Sequence, residues 1–277
     1  MSDHDSIRIV LLTGNGLRHR YVASRLATSL NLTGVVLEGK AQLIAEPELL
    51  SPENRQVIAE HLGQRDAVER RLLGDVASVA SPVLEVPHGK SNTPEVFEWV
   101  VGHKPDFVVV YGSSIIKPPL LDHFDGRMVN IHLGLSPYYR GSGTNFWPLV
   151  HRLPECVGAT LHLVVSKVDA GPILAQVRPR AEAADRAHEL GTKTIMEAVV
   201  HLPAVLAGFL QGRLQPKIQD LSGGRLCRRR DFCADAVRTM WRQFQTGMMD
   251  EFLANQVARC ARYPVVEPPA ELASHTA

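Results

Sequence analysis

Short apolar runs that end on glycine, each followed by a helical pattern, constrain this chain more than any other feature. Ile7 to Leu12 is mostly apolar and gives way to Thr13-Gly14-Asn15-Gly16, as a buried parallel strand entering a tight turn would. From Arg18 to Leu30, residues Tyr21, Val22, Leu26 and Leu30 recur at helical spacing, and Leu32 to Leu37 reads as a second strand. Together they form a βαβ unit. Phe107 to Tyr111 is a further buried strand closed by Gly112, and Met128 to Ile131 another. Strands alternating with helices predict an α/β fold, a Rossmann-like, doubly wound, mainly parallel sheet. Its ligands lie beyond the carboxyl ends of the strands, where Gly14, Gly112 and His132 fall.

Between these strands, Glu53 to Leu73 suits one or two amphipathic helices, with Gly63 its only internal breaker. Ser91-Asn92-Thr93-Pro94-Glu95 starts a helix running to about Val101. Thr160 to Val165 alternates and is expected as an antiparallel or edge strand. Asp185 to Leu210 reads as helical with a kink or break at Pro203. Gly223-Gly224 opens a basic turn, and one or two amphipathic helices over Asp235 to Ala261 close the chain. This organisation predicts a catalytic domain over 1–215 and a small, mostly helical extension over 216–277. The closing helices fit either a homodimer surface or packing on the parent domain.

Composition excludes more than it selects. With 45% hydrophobic and 21% charged residues and a net charge of +1, no global charge argument points to nucleic acid or a membrane. The basic run Arg225, Arg228, Arg229 and Arg230 reads as a solvated face. The N-terminal residues lack signal-peptide features, and no apolar run is expected to reach the roughly 20 residues that cross a bilayer, so a cytoplasmic location is expected. Cys156, Cys227, Cys233 and Cys260 are scattered without metal-ligand spacing, and no metal is expected.

Chemistry concentrates between Val129 and Gly171. On a strand Asn130 and His132 share one face while Ile131 points into the core. An amide beside an imidazole offers an oxyanion donor and a proton carrier. Read alone, the pair also fits two polar residues satisfying a strand end. The longer passages VNIHLGLSPYYRGSGTNFWPL and VGATLHLVVSKVDAGPILAQ resemble the formyltransferase family that uses 10-formyltetrahydrofolate. Five parts stand in order: an Asn/His strand, a proline loop, an aromatic-Arg-Gly turn, a Gly-Ala-Thr strand and an Asp-x-Gly loop.

The resemblance implies a catalytic group of Asn130, His132 and Asp169, with 10-formyltetrahydrofolate as co-substrate. Pterin recognition is implied at Tyr111, Gly112, Ser113, Ile115, Leu135, Val165 and Val168, with Val110, Ile115 and Leu135 as apolar walls. An acceptor site is implied at Gly14, Gly16, Arg18, Arg140 and Gly141. In that site the Gly14 loop and its basic helix start would hold an anion. Glu38 ends the second strand where a Rossmann acid meets ribose. One departure stands out: Gly134 occupies the position of the family's usual loop serine, so a hydroxyl contact on the acceptor side would be lost.

A small-molecule amine acceptor is expected, an amino-sugar nucleotide preferred. A tRNA-directed relative would carry a C-terminal barrel, for which the residues after Pro216 are too few and too poor in strand patterning. Two other classes remain: a formyltetrahydrofolate hydrolase, expected to carry a module ahead of the first strand, and a non-catalytic folate- or nucleotide-binding protein.

Overall fold

The computed structural model describes residues 6–39, 50–76 and 78–269. Nine strands are described: β1 Arg8–Gly14, β2 Asn31–Glu38, β3 Val83–Val86, β4 Phe107–Tyr111, β5 Met128–His132, β6 Tyr139–Gly141, β7 Ala159–Leu163, β8 Ile173–Val177 and β9 Arg225–Cys227. Seven form one sheet in the order β3-β2-β1-β4-β5-β7-β8. The first five run parallel, while β7 is antiparallel to both neighbours. Strand β7 therefore lies inside the sheet, not at its edge; the edge is β8, whose apolar run ILAQV sits flush against it.

The helices are α1 Leu17–Ala27, α2 Pro52–Leu73, α3 Pro94–Gly102, α4 Leu120–His123, α5 Trp147–Val150, α6 Ala187–Leu210, α7 Ala234–Gln245, α8 Met248–Ala254 and α9 Gln256–Ala261. Strand alternation sorts them onto two faces. Ile9 and Leu11 pack with Val22 and Leu26 of α1 and with Ile195 to Leu206 of α6. Val10 and Leu12 pack with Val96 and Val100 of α3 and with Leu120 of α4. The doubly wound architecture follows from that alternation.

One local expectation is narrowed and two change. Glu53 to Leu73 is one helix, because Gly63 sits where the chain meets no crowding and α2 continues through it. Helix α6 runs through Pro203 without a break, its apolar faces held between sheet and neighbours. At 24 residues α6 is also long and apolar enough, by length and composition, to cross a membrane. Its apolarity is explained by packing, since Leu202, Val205 and Leu206 are fully buried in the core. The closing segment forms three helices, not one or two. Its buried residues Val237, Met240, Met248, Met249 and Phe252 join Leu149, Val157 and Leu190 in a third cluster, so these helices pack on the parent domain.

Candidate active site

The parallel strand β5 and antiparallel β7 bring three polar side chains together. Their register sets Asn130 opposite His162 and His132 opposite Thr160, so one face of the ladder carries both histidines beside the amide. The loop leaving β7 returns Asp169 onto that face. Asp169 Oδ2 lies 3.4 Å from His132 Nδ1 and accepts a 2.8 Å hydrogen bond from the Gly141 amide, while Asn130 Nδ2 donates to Oδ1 at 3.4 Å. Asp169 adopts φ +47°, a left-handed conformation uncommon for a residue with a side chain, kept only where the surroundings over-determine it.

His132 is held by two acceptors. Its Nε2 faces the Tyr139 carbonyl at 3.2 Å and its Nδ1 faces Asp169. A neutral ring can donate to one of them and an imidazolium to both. Burial holds this imidazole below its ordinary pKa, with the Asp169 carboxylate opposing that shift and the charges of His162 and Arg140 adding to it. Burial alone would raise the Asp169 carboxyl. Its hydrogen bond with His162, the nearby His132 and the Gly141 amide outweigh burial and leave it below the usual carboxylate range. The result is an ionised carboxylate beside an imidazole held towards its neutral form.

His162 was not singled out from the sequence. Its Nδ1 faces the Leu163 carbonyl at 2.8 Å, and its Nε2 lies 3.1 Å from Asn130 Nδ2 and 3.7 Å from Asp169 Oδ1. The available signal was its alternation with Thr160 in TLHLVV. Only the antiparallel pairing, 32 residues from Asn130, shows which partner it faces.

The expected pterin residues divide by exposure. Ile115, Val165 and Val168 are 60%, 37% and 39% exposed, unusually open for large apolar side chains. They lie on the loops leaving β4 and β7, the two strands that flank Asn130. Leu135 is fully buried, packed where Gly158 leaves no room for a Cβ, and Val110 is nearly so. Tyr111 is buried, its ring 5.1 Å from that of His19. Gly112 turns at φ +69° against His19, and Ser113 donates to the Ser114 carbonyl. Glu38 does not stand open for a ribose. Its carboxylate accepts from the Gly89 and Ser114 amides at 2.7 and 2.9 Å and from the Ser91 and Ser114 hydroxyls, which ties down the loop leaving β4.

On the expected acceptor side, the Gly14 loop is partly engaged. The Gly16 amide donates to His19 Nδ1 at 3.2 Å, and Arg18 is paired with Glu69 of α2. Arg140 stands otherwise. It is 8% exposed, its Nε has no partner, and no carboxylate among the described residues pairs with it. Buried charges are normally paired, and strand β6 places this one between the Tyr139 carbonyl that meets His132 and the Gly141 amide that meets Asp169. The missing loop serine is also explained. A Cβ on Gly134 would lie 2.5 Å from Thr144 Cβ and 2.7 Å from His132 Nε2. The Thr144 side chain fills that space and donates its hydroxyl to the Leu133 carbonyl.

The chain is similar to several formyltransferases. Phosphoribosylglycinamide formyltransferase of Escherichia coli is 31% identical over 114 residues, 41% of this chain and 53% of the relative. Methionyl-tRNA formyltransferase of Trichlorobacter lovleyi is 33% identical over 50% of this chain and 43% of its own length. GDP-perosamine N-formyltransferase of Brucella melitensis is 29% identical over 44% and 47%. The chain thus spans about half the length of the curated relatives it matches. The solved phosphoribosylglycinamide formyltransferase of Anaplasma phagocytophilum shares the fold at 18% identity, with a TM-score of 0.52, 80% of this chain and 98% of that one covered. The model of the formyl transferase family matches residues 40–206, more than half the chain and the whole of the Asn130, His132 and Asp169 cluster, and the chain belongs to that family.

Proposed function

We propose that this protein is an N-formyltransferase that moves a formyl group from 10-formyltetrahydrofolate to the primary amine of a small anionic acceptor, an amino-sugar nucleotide. One observation carries the reading: Asn130, His132 and Asp169 converge from two strands and a loop, with donor, proton carrier and ionised carboxylate in contact.

The co-substrate supplies an activated formyl carbon on a nitrogen leaving group. Ile115, Val165 and Val168 offer an apolar surface for its flat ring system beside polar backbone, the usual form of such a site. His132 and the Asn130 amide donate to the oxygen that becomes negative when the amine attacks. The contact from Asn130 Nδ2 to Asp169 is long at 3.4 Å, so this hydrogen is the one that turns to the substrate. The attacking amine gives up its proton to His132, whose imidazolium form Asp169 favours; the bond from the formyl carbon to the folate nitrogen then breaks and His132 passes the proton to that departing nitrogen. Arg140 supports an anionic acceptor: it is the buried cation beside the pair that lacks a counter-charge, whereas Arg18 already has Glu69. The name of the Brucella relative makes an amino-sugar nucleotide the first acceptor to try.

The test is incubation with 10-formyltetrahydrofolate and a panel of amines: amino-sugar nucleotides, phosphoribosylglycinamide and charged methionyl-tRNA. Folate release coupled to a mass gain of one CO unit on a sugar nucleotide is expected. Release without any acceptor would assign a hydrolase, and no folate binding would leave a non-catalytic protein.

A further inference from the structure

We propose that Gln219, outside the segment matched by the family model, is a positioning residue that fixes the Asp169 carboxylate against His132. The observation begins with the turn at 169–171. Asp169 holds a left-handed φ of +47°, and Gly171 lies so close to β7 that a Cβ there would meet the Leu163 carbonyl oxygen at 1.8 Å. One side of the turn is therefore pressed on the sheet. The other side is held by a single side chain: Gln219 Nε2 donates to the Asp169 carbonyl at 3.1 Å and to the Gly171 carbonyl at 2.6 Å.

Gln219 is brought there by a short bridge in which Lys217 and Ile173 exchange both backbone hydrogen bonds at 2.8 Å. The glutamine is 8% exposed, and its Oε1 meets no donor. Its orientation is thus set by the two carbonyls alone, and only an amide nitrogen serves both. A non-glycine residue relaxes out of the left-handed region unless its surroundings hold it. Without the Gln219 amide, the two carbonyls that define the turn lose their common donor and Asp169 is free to swing. Its bonds to the Gly141 amide and its contact with His132 then loosen together.

The role in turnover rests on the formyl-transfer reading, so the test carries one readout that does not. Wild type, Gln219→Ala and Gln219→Leu are labelled with 15N-histidine and titrated by NMR, and their formyl transfer is measured alongside. The leucine keeps most of the bulk and loses both donors without adding a charge. In both variants the His132 resonance is expected to titrate about half a unit lower, because the carboxylate that favours imidazolium has moved. Alongside it, kcat should fall roughly 10- to 100-fold, with KM for the folate unchanged within about threefold. An unchanged His132 titration in both variants, whatever the loss in Tm, would overturn the proposal and leave Gln219 a stabilising residue only. Absence of formyl transfer in the wild type would sink the functional reading while the NMR comparison still decides for or against Gln219.

Discussion

At Gly134 a single missing side chain separates this site from the pattern the sequence resembles. The glycine is required because Thr144 and His132 occupy the space. Gly134→Ala should therefore push the His132 ring off the Tyr139 carbonyl and cost about 1–3 kcal/mol through overpacking. Urea unfolding of the variant measures that cost. Adding Thr144→Gly should recover part of it; no recovery would place the crowding on His132 instead of Thr144. Much of this scale was legible beforehand. Asn130 and His132 share a face because strands repeat every two residues, and Asp169 came in through the family resemblance of the Asp-x-Gly loop. The rest depended on partners far along the chain. His162 faces Asn130 only through antiparallel register, Glu69 reaches Arg18 across 51 residues, and Gln219 reaches Asp169 across 50. No local pattern encodes those distances.

Among the elements, α2 shows how packing decides what a polar pattern leaves open. It is one of the least apolar helices, yet it docks His61 in a buried position beside His188, with ring centroids 4.4 Å apart and Phe146 and Phe232 alongside. Burial, aided by Arg65, lowers the His61 pKa to about 4. Burial, with His61 adding to it, lowers that of His188 to about 3. Both rings are neutral in the folded protein at neutral pH, and the unfolded chain binds protons first as pH falls below about 6.5. Stability is therefore full above that pH and declines as pH falls towards 4 and 3. For His61 the shift corresponds to about 3 kcal/mol at full titration. His61→Phe should flatten the decline of Tm between pH 6.5 and 4, whereas an unchanged slope would remove His61 as its source. Long elements such as β1, β4 and α6 were readable from period and composition. The three-residue strands β6 and β9 were not, since so short a stretch carries no period, and their pairing of Arg140 with Leu226 is purely tertiary.

Across the whole molecule, the residues after 215 belong to the site as much as to the surface. Strand β9 covers one edge of β6, whose other edge holds His132 and Asp169. Val266 exchanges backbone and side-chain hydrogen bonds with Gln176, which in turn steadies the loop after β5 through Ser136. Helices α7 and α8 bury Val237, Met240, Met248, Met249 and Phe252, each worth about 1.5–3 kcal/mol when fully buried. A chain ending at residue 215 should lose the cooperative unfolding transition in calorimetry and precipitate or bind hydrophobic dye. A sharp transition near that of the full chain would show instead that 216–277 is a separable unit.

The claim on which these scales converge is that Asn130, His132 and Asp169 act as one unit. Comparing kcat/KM for formyl transfer in wild type, His132→Ala, Asp169→Asn and the double variant tests it most directly. Residues that work together are not additive. Each single change should reduce kcat/KM by roughly 1,000-fold or more, as loss of proton transfer and charge stabilisation together would. The double variant should then fall little further. Turnover within about threefold of wild type in His132→Ala, or losses that simply multiply in the double variant, would contradict the account.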